Sequence, residues 1–118
     1  MTLRVASALL VALGVAGGSA WAQEAADDVE QGHHLATLIC SSCHVAARDQ
    51  PFEPILRPPA PSFDSIAQRS SFTNDFVQTF LTTTHRDISN PTGMPNPQLL
   101  DYQIKQIAAY LASLRKQP

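Results

Sequence analysis

The stretch Cys40-Ser41-Ser42-Cys43-His44 constrains this chain more than any other part of the sequence. Two cysteines separated by two residues and followed directly by a histidine are typical of a c-type haem attachment site. Each thiol would add to one vinyl group of the haem. A helical turn places both cysteines on the same face, from which both can reach one edge of the haem ring. His44 then lies close enough to bind the iron as proximal ligand. We therefore expect one covalent haem c; a redox dithiol and half of a zinc site are the alternatives.

The N-terminus has the pattern of a secretory signal peptide. Arg4 precedes an apolar run over residues 5–15, and Ala20-Trp21-Ala22 is a small-x-small cleavage site. The run is too short for an ordinary membrane span. We predict a signal peptide over 1–22, cleavage before Gln23, export to the periplasm, and one domain over 23–118 with no membrane span. An uncleaved N-terminal anchor is the alternative.

The net charge argues against a nucleic-acid binder, and the cysteine spacing argues against a disulfide-stabilised fold. The formal net charge is −2, and it becomes more negative once Arg4 leaves with the signal. This balance does not fit a nucleic-acid binder, which carries a basic patch. A disulfide between Cys40 and Cys43 would close too short a loop to stabilise an exported fold. We expect a monomer that meets redox partner proteins through a mildly acidic surface.

Apolar residues recur at helical spacing, and strand-like alternation is absent, so we predict an all-α fold. Capping residues and prolines set the element boundaries. The predicted elements are a helix over 28–43 capped by Asp27 or Asp28, a Pro-rich loop over 45–61, short helices over 63–69 and 74–83 capped by Ser62 and Thr73, a second Pro-rich loop over 90–97, and a helix over 102–115 opened by Asp101.

Two features of the first helix need separate interpretation. Gly32 in a helix interior costs about 1 kcal/mol relative to Ala, which is reasonable if another helix crosses closely there; a glycine that is simply tolerated is the alternative. His33 and His34 follow it. We expect both histidines to be solvated rather than to bind metal.

The second axial ligand decides how the iron behaves. Met94 is the one methionine that remains after loss of Met1, and it lies between Gly93 and Pro95, 50 residues past His44. A thioether on the far side of the ring stabilises reduced iron and raises the potential. We predict Met94 as the distal ligand. His85 in a bis-His arrangement and an open sixth position are the alternatives.

With these residues in view, the chain resembles the small monohaem class I c-type cytochromes of bacterial periplasms. The motifs that carry the resemblance occur in the family's order over most of residues 23–118. They are Gly32, the Cys40-Cys43-His44 attachment site, Ala60-Pro61-Ser62-Phe63 in place of a Gly-Pro-x-Leu segment, Met94-Pro95, and the helix Ala109-Tyr110-Leu111-Ala112-Ser113-Leu114.

The resemblance implies a cytochrome c fold, in which the N- and C-terminal helices cross at Gly32 with Tyr110 against it. It also implies that the Pro61 carbonyl accepts the second N–H of His44, orienting the ring. The chain departs from the family at three positions. Ala36 replaces an aromatic residue, Ala60 replaces glycine, and Leu100 replaces a Ser or Thr cap, so that Asp101 should cap the last helix.

We expect a periplasmic electron carrier that cycles Fe(III)/Fe(II), with no catalytic residues of its own. Two other classes of function stay open. A fixed cytochrome subunit of a periplasmic dehydrogenase or oxidase complex would need a large exposed apolar patch beyond the haem edge. A thiol oxidoreductase would need a βαβ pattern around the CxxC, which the sequence lacks.

Overall fold

A computed structural model describes residues 19–83, 94–95 and 97–115. Its helical elements are α1 (Ser19–Leu35), a π-helical turn (Ala36–Cys40), α2 (Phe63–Ala67), α3 (Asn74–Thr83) and α4 (Asp101–Ser113). Over those ranges no β-strand forms, and one isolated bridge pairs His44 with Ala60. The all-α prediction is confirmed. Residues 1–18, His85 and most of the predicted 90–97 loop lie outside the described residues.

Helix α1 begins at Ser19, well before the predicted start at 28, and ends at Leu35. The prediction that Asp27 or Asp28 caps it was wrong, since both lie inside the helix. The Ala, Glu and Gln residues before Asp27 are good helix formers and let the helix continue toward the N-terminus. Asp28 instead pairs with Lys105 on α4 at 2.9 Å. Among the described residues, no helix has the length and apolarity to span a bilayer.

Helices α1 and α4 cross at Gly32, as predicted. A β-carbon on Gly32 would overlap the Gln106 carbonyl and would lie 2.8 Å from Tyr110 Cβ. A residue without a side chain is therefore required for this close approach. On α4, Ile104 and Ile107 are each 2% exposed, and they are the largest fully buried side chains of the described residues.

The caps of the other helices are partly as predicted. The Ser62 hydroxyl accepts from the Ser65 N–H at 3.2 Å, and the Thr73 hydroxyl accepts from the Phe76 N–H at 3.0 Å. Asp101, however, is the first residue of α4 and not its cap. The cap position is Leu100, whose N–H donates to Gln103 Oε1 at 2.9 Å. The Gln103 side chain thus accepts a backbone hydrogen bond at the start of α4, without a Ser or Thr at the cap position.

The Pro-rich segment over 45–61 is tied by its backbone to the attachment turn. The Ile55 N–H donates to the Ser42 carbonyl at 2.9 Å, and the Ala60 N–H donates to the Cys43 carbonyl at 2.9 Å. The Phe63 N–H donates to the Val45 carbonyl at 3.0 Å. These bonds bring Pro61 and the start of α2 beside His44.

Candidate functional site

The π-helical turn brings the two cysteines to one side of the chain. The N–H groups of Cys43 and His44 both donate to the Cys40 carbonyl, at 3.1 and 2.9 Å. Cys40 is buried and Cys43 is half-buried. They line one recess together with Ile39, Met94, Pro95 and Pro97. Both thiols therefore face the segment that carries Met94.

The His44 imidazole is buried and held in one orientation. It is 7% exposed, and its Nδ1 donates to the Pro61 carbonyl at 2.7 Å. Phe63 lies edge-on to the ring, with 5.5 Å between centroids. Because a carbonyl oxygen can only accept, the Nδ1 atom carries the proton and Nε2 of the neutral ring presents a lone pair. The hydrogen bond expected from the family resemblance is present.

That lone pair points at sulfur. Nε2 of His44 lies 3.3 Å from Sδ of Met94. A thioether has no proton to donate, so in the neutral ring two electron-pair donors converge on one point. Imidazole nitrogen and methionine sulfur are both recognised haem-iron ligands, so an iron that accepted both electron pairs would relieve this repulsion. The chemistry of the donor set therefore fits iron.

A cavity of about 330 Å³ opens beside these residues, within the roughly 300–1,000 Å³ typical of cofactor pockets. Its walls are mostly apolar. The lining includes Cys40, His44, Ala60, Pro61, Phe63, Ile66, Arg69, Phe76, Val77, Phe80, Leu81, Met94, Pro97, Leu99, Ile107 and Leu111. An apolar cavity with two facing metal ligands and both thiols nearby suits a flat hydrophobic macrocycle.

Among the Asp, Glu, Lys and Arg side chains of the described residues, only that of Arg69 lines this cavity. A guanidinium pairs well with carboxylates, which haem carries as its two propionates. Sequence reasoning missed this residue. Its spacing of three from Ile66, across the end of α2, was the signal that could have placed it on the cavity side.

The thiol chemistry does not favour a dithiol enzyme. Burial, and secondarily the neighbouring Cys43, raises the pKa of the Cys40 thiol to about 12. Thiol oxidoreductases depend on the opposite shift, which keeps the nucleophilic thiolate available near neutral pH. The described part of the chain also lacks the strands of the βαβ pattern that accompanies such a motif.

Comparison with known proteins agrees with the site geometry in indicating a haem protein. The family described as Cytochrome c matches residues 29–115 of this chain. The chain belongs to the cytochrome c family. It is 35% identical over 107 residues to cytochrome c-552 of Bradyrhizobium diazoefficiens, an alignment that covers 91% of this chain and 92% of the relative. No solved structure matches it.

Membership in the cytochrome c family gives the cofactor and the broad function. The cofactor is haem c with its iron, and the protein transfers electrons. Within this cytochrome c, Cys40, His44, Pro61 and Met94 line one cavity, and Cys43 lines a second recess that also contains Cys40 and Met94. The alternative distal ligand, His85, lies outside the described residues.

Proposed function

We propose that this cytochrome c is a monomeric electron carrier of the periplasm, exported by residues 1–22, with His44 and Met94 as axial ligands. The approach of His44 Nε2 to Met94 Sδ, 3.3 Å, is the observation that supports this ligand pair most directly. Cys40 and Cys43 would hold the haem covalently, and Arg69 would pair with a haem carboxylate.

When bound, the haem supplies one-electron Fe(III)/Fe(II) chemistry. The protein orients the haem, surrounds it with a polarity that favours reduced iron, and excludes water from it. The Pro61 carbonyl keeps the proton on Nδ1 of His44, so that Nε2 stays free to bind. The apolar residues around the cavity, including Phe63 and Ile107, keep water away from the iron.

The ligand assignment is tested on the exported holoprotein. We expect a c-type absorption spectrum on reduction, and in the oxidised form the weak red band that methionine sulfur gives ferric haem. Met94→Ala should keep the covalent haem and lose the red band. Pro95→Ala, next to it in sequence, is the matched control and should retain the band. A red band that persists in Met94→Ala would reject Met94 as ligand.

Export and processing are tested separately on the same preparation. Intact mass of the periplasmic protein should correspond to residues 23–118 plus one haem. A mass corresponding to the full chain, found in the membrane fraction, would favour the uncleaved anchor instead.

A fixed subunit of a larger complex is the second candidate, and one observation favours it. Phe52, Ile55 and Leu56 are 75%, 82% and 47% exposed on the loop that is bonded to Ser42 of the attachment turn. Apolar side chains clustered next to a redox centre are typical of an interaction site. Sedimentation of the protein in unfractionated periplasm distinguishes the two: a carrier sediments as a monomer and a subunit with its complex.

A further inference from the structure

A tight turn follows His44 directly. The N–H groups of Ala46 and Ala47 both donate to Gln50 Oε1, at 2.7 and 3.2 Å. Both alanines are buried, at 1% and 5% exposure. Ala46 is two residues from His44, so a displacement of this turn displaces the backbone that carries the imidazole.

The C-terminal helix holds this turn from the far side of the core. The Tyr110 hydroxyl donates to the Ala46 carbonyl at 3.2 Å, in a buried hydrogen bond that spans 64 residues. Burial raises the pKa of the Tyr110 hydroxyl, the charges of Asp49 and Asp64 add to the shift, and Arg48 opposes it. The proton therefore stays on Tyr110, which remains a donor.

The N-terminal helix holds the same turn through His33. Its Nε2 lies 2.8 Å from Asp49 Oδ1, and its ring lies edge-on to Tyr110 at 5.1 Å between centroids. The expectation that both histidines are solvated holds in full for His34, which is exposed, and only in part for His33, which is 35% exposed and has these two partners. The two histidines differ because Gly32 brings α4 against the side of α1 that carries His33.

We propose that Tyr110 is a positioning residue for the His44 imidazole, and that His33 supports it. This inference rests on the proposed function, in which His44 binds the iron. The Tyr110–Ala46 hydrogen bond fixes the backbone after His44, and this keeps Nδ1 aligned with the Pro61 carbonyl. Donation from Nδ1 makes the imidazole a stronger electron donor, which stabilises ferric iron. Loss of the alignment should therefore raise the reduction potential.

The test compares holoprotein variants by potentiometry and by proton NMR of the oxidised haem, whose methyl shifts report the orientation of the axial ligands. Tyr110→Phe removes the donor and keeps the ring. His33→Asn removes the Asp49 contact and the ring packing, and His34→Asn is the matched control one residue away. We expect a higher potential and altered methyl shifts in Tyr110→Phe, a smaller change in the same direction in His33→Asn, and none in His34→Asn.

A loss of thermal stability in Tyr110→Phe with unchanged potential and methyl shifts would overturn the proposal, since it would mean that the hydroxyl only stabilises the fold. Equal shifts in His33→Asn and His34→Asn would overturn the role of His33. His33 is 35% exposed, so its variant keeps the test available if Tyr110→Phe holoprotein is too unstable to isolate. Failure of the proposed function is distinct, because the unaltered holoprotein would then lack the His/Met spectrum.

Discussion

Gly32 on α1 lies directly against the main-chain carbonyl of Gln106 on α4. A β-carbon at Gly32 would overlap the carbonyl oxygen and lie 2.6 Å from the carbonyl carbon. Backbone atoms have little freedom to move aside in a packed helix pair, so the two helices would have to separate. The contact therefore requires glycine at this position.

Gly32→Val should lower the free energy of unfolding of the holoprotein by about 2 kcal/mol or more, because the new side chain forces the crossing helices apart. The measurement is urea denaturation followed by helical circular dichroism. Gln31→Val is the matched control, since Gln31 is exposed on the same helix. The control should lose only about 0.5 kcal/mol, the propensity cost of a β-branched residue. Equal losses in the two variants would contradict the close crossing.

Met94→His should keep the covalent haem and lower the reduction potential. Imidazole is a harder donor than a thioether and favours Fe(III). A preference of about 3 kcal/mol is roughly two tenfold steps, or about 120 mV for a one-electron couple. Potentiometry of Met94→His and His85→Ala decides between the two candidate ligands. A shift confined to His85→Ala would assign the distal position to His85.

Cys40→Ala with Cys43→Ala should abolish covalent haem and leave a poorly folded chain. The cavity walls contain core residues such as Phe63, Ile107 and Leu111, which would lose their largest apolar contact. A small domain has little stability to spare for such a loss. Circular dichroism and thermal melting of the haem-free chain check this. A helical, cooperatively melting double variant would show that the fold does not depend on haem.

The His33–Asp49 pair should make stability depend on pH in the acid range. The hydrogen bond from His33, and secondarily one from the Asp49 backbone, lowers the pKa of the Asp49 carboxyl below its usual 3.8. A carboxyl whose pKa is lower in the folded state stabilises the fold above its unfolded pKa, and loses this contribution as the pH falls through the folded pKa.

The melting temperature of the unaltered holoprotein should therefore exceed that of Asp49→Asn near neutral pH, and the difference should disappear below the folded pKa of the carboxyl. Because Asp49 is exposed, the difference should be small. Glu30→Gln, at an exposed position on α1, is the control for loss of one negative charge. A gap that persists unchanged into strong acid would contradict the sign of the effect.

The sequence by itself determined the elements whose chemistry depends on residues close together in the chain. The spacing of Cys40, Cys43 and His44 is a local property, and it predicted the haem before any fold was known. The hydroxyl caps at Ser62 and Thr73 and the existence of α3 and α4 also follow from local pattern. The close helix crossing at Gly32 could be predicted because an unfavourable residue in an otherwise good helix has a packing reason.

Only the tertiary structure decided which distant residues meet. Asp28 appeared to be a cap, yet it pairs with Lys105, because α4 supplies a cation that no local pattern indicates. His33 and His34 are adjacent and chemically identical, and only the crossing at Gly32 gives His33 alone the contacts with Tyr110 and Asp49. Arg69 likewise lines the cavity because of where α2 packs in the fold. Local chemistry depends on spacing along the chain, whereas these contacts depend on how the helices pack.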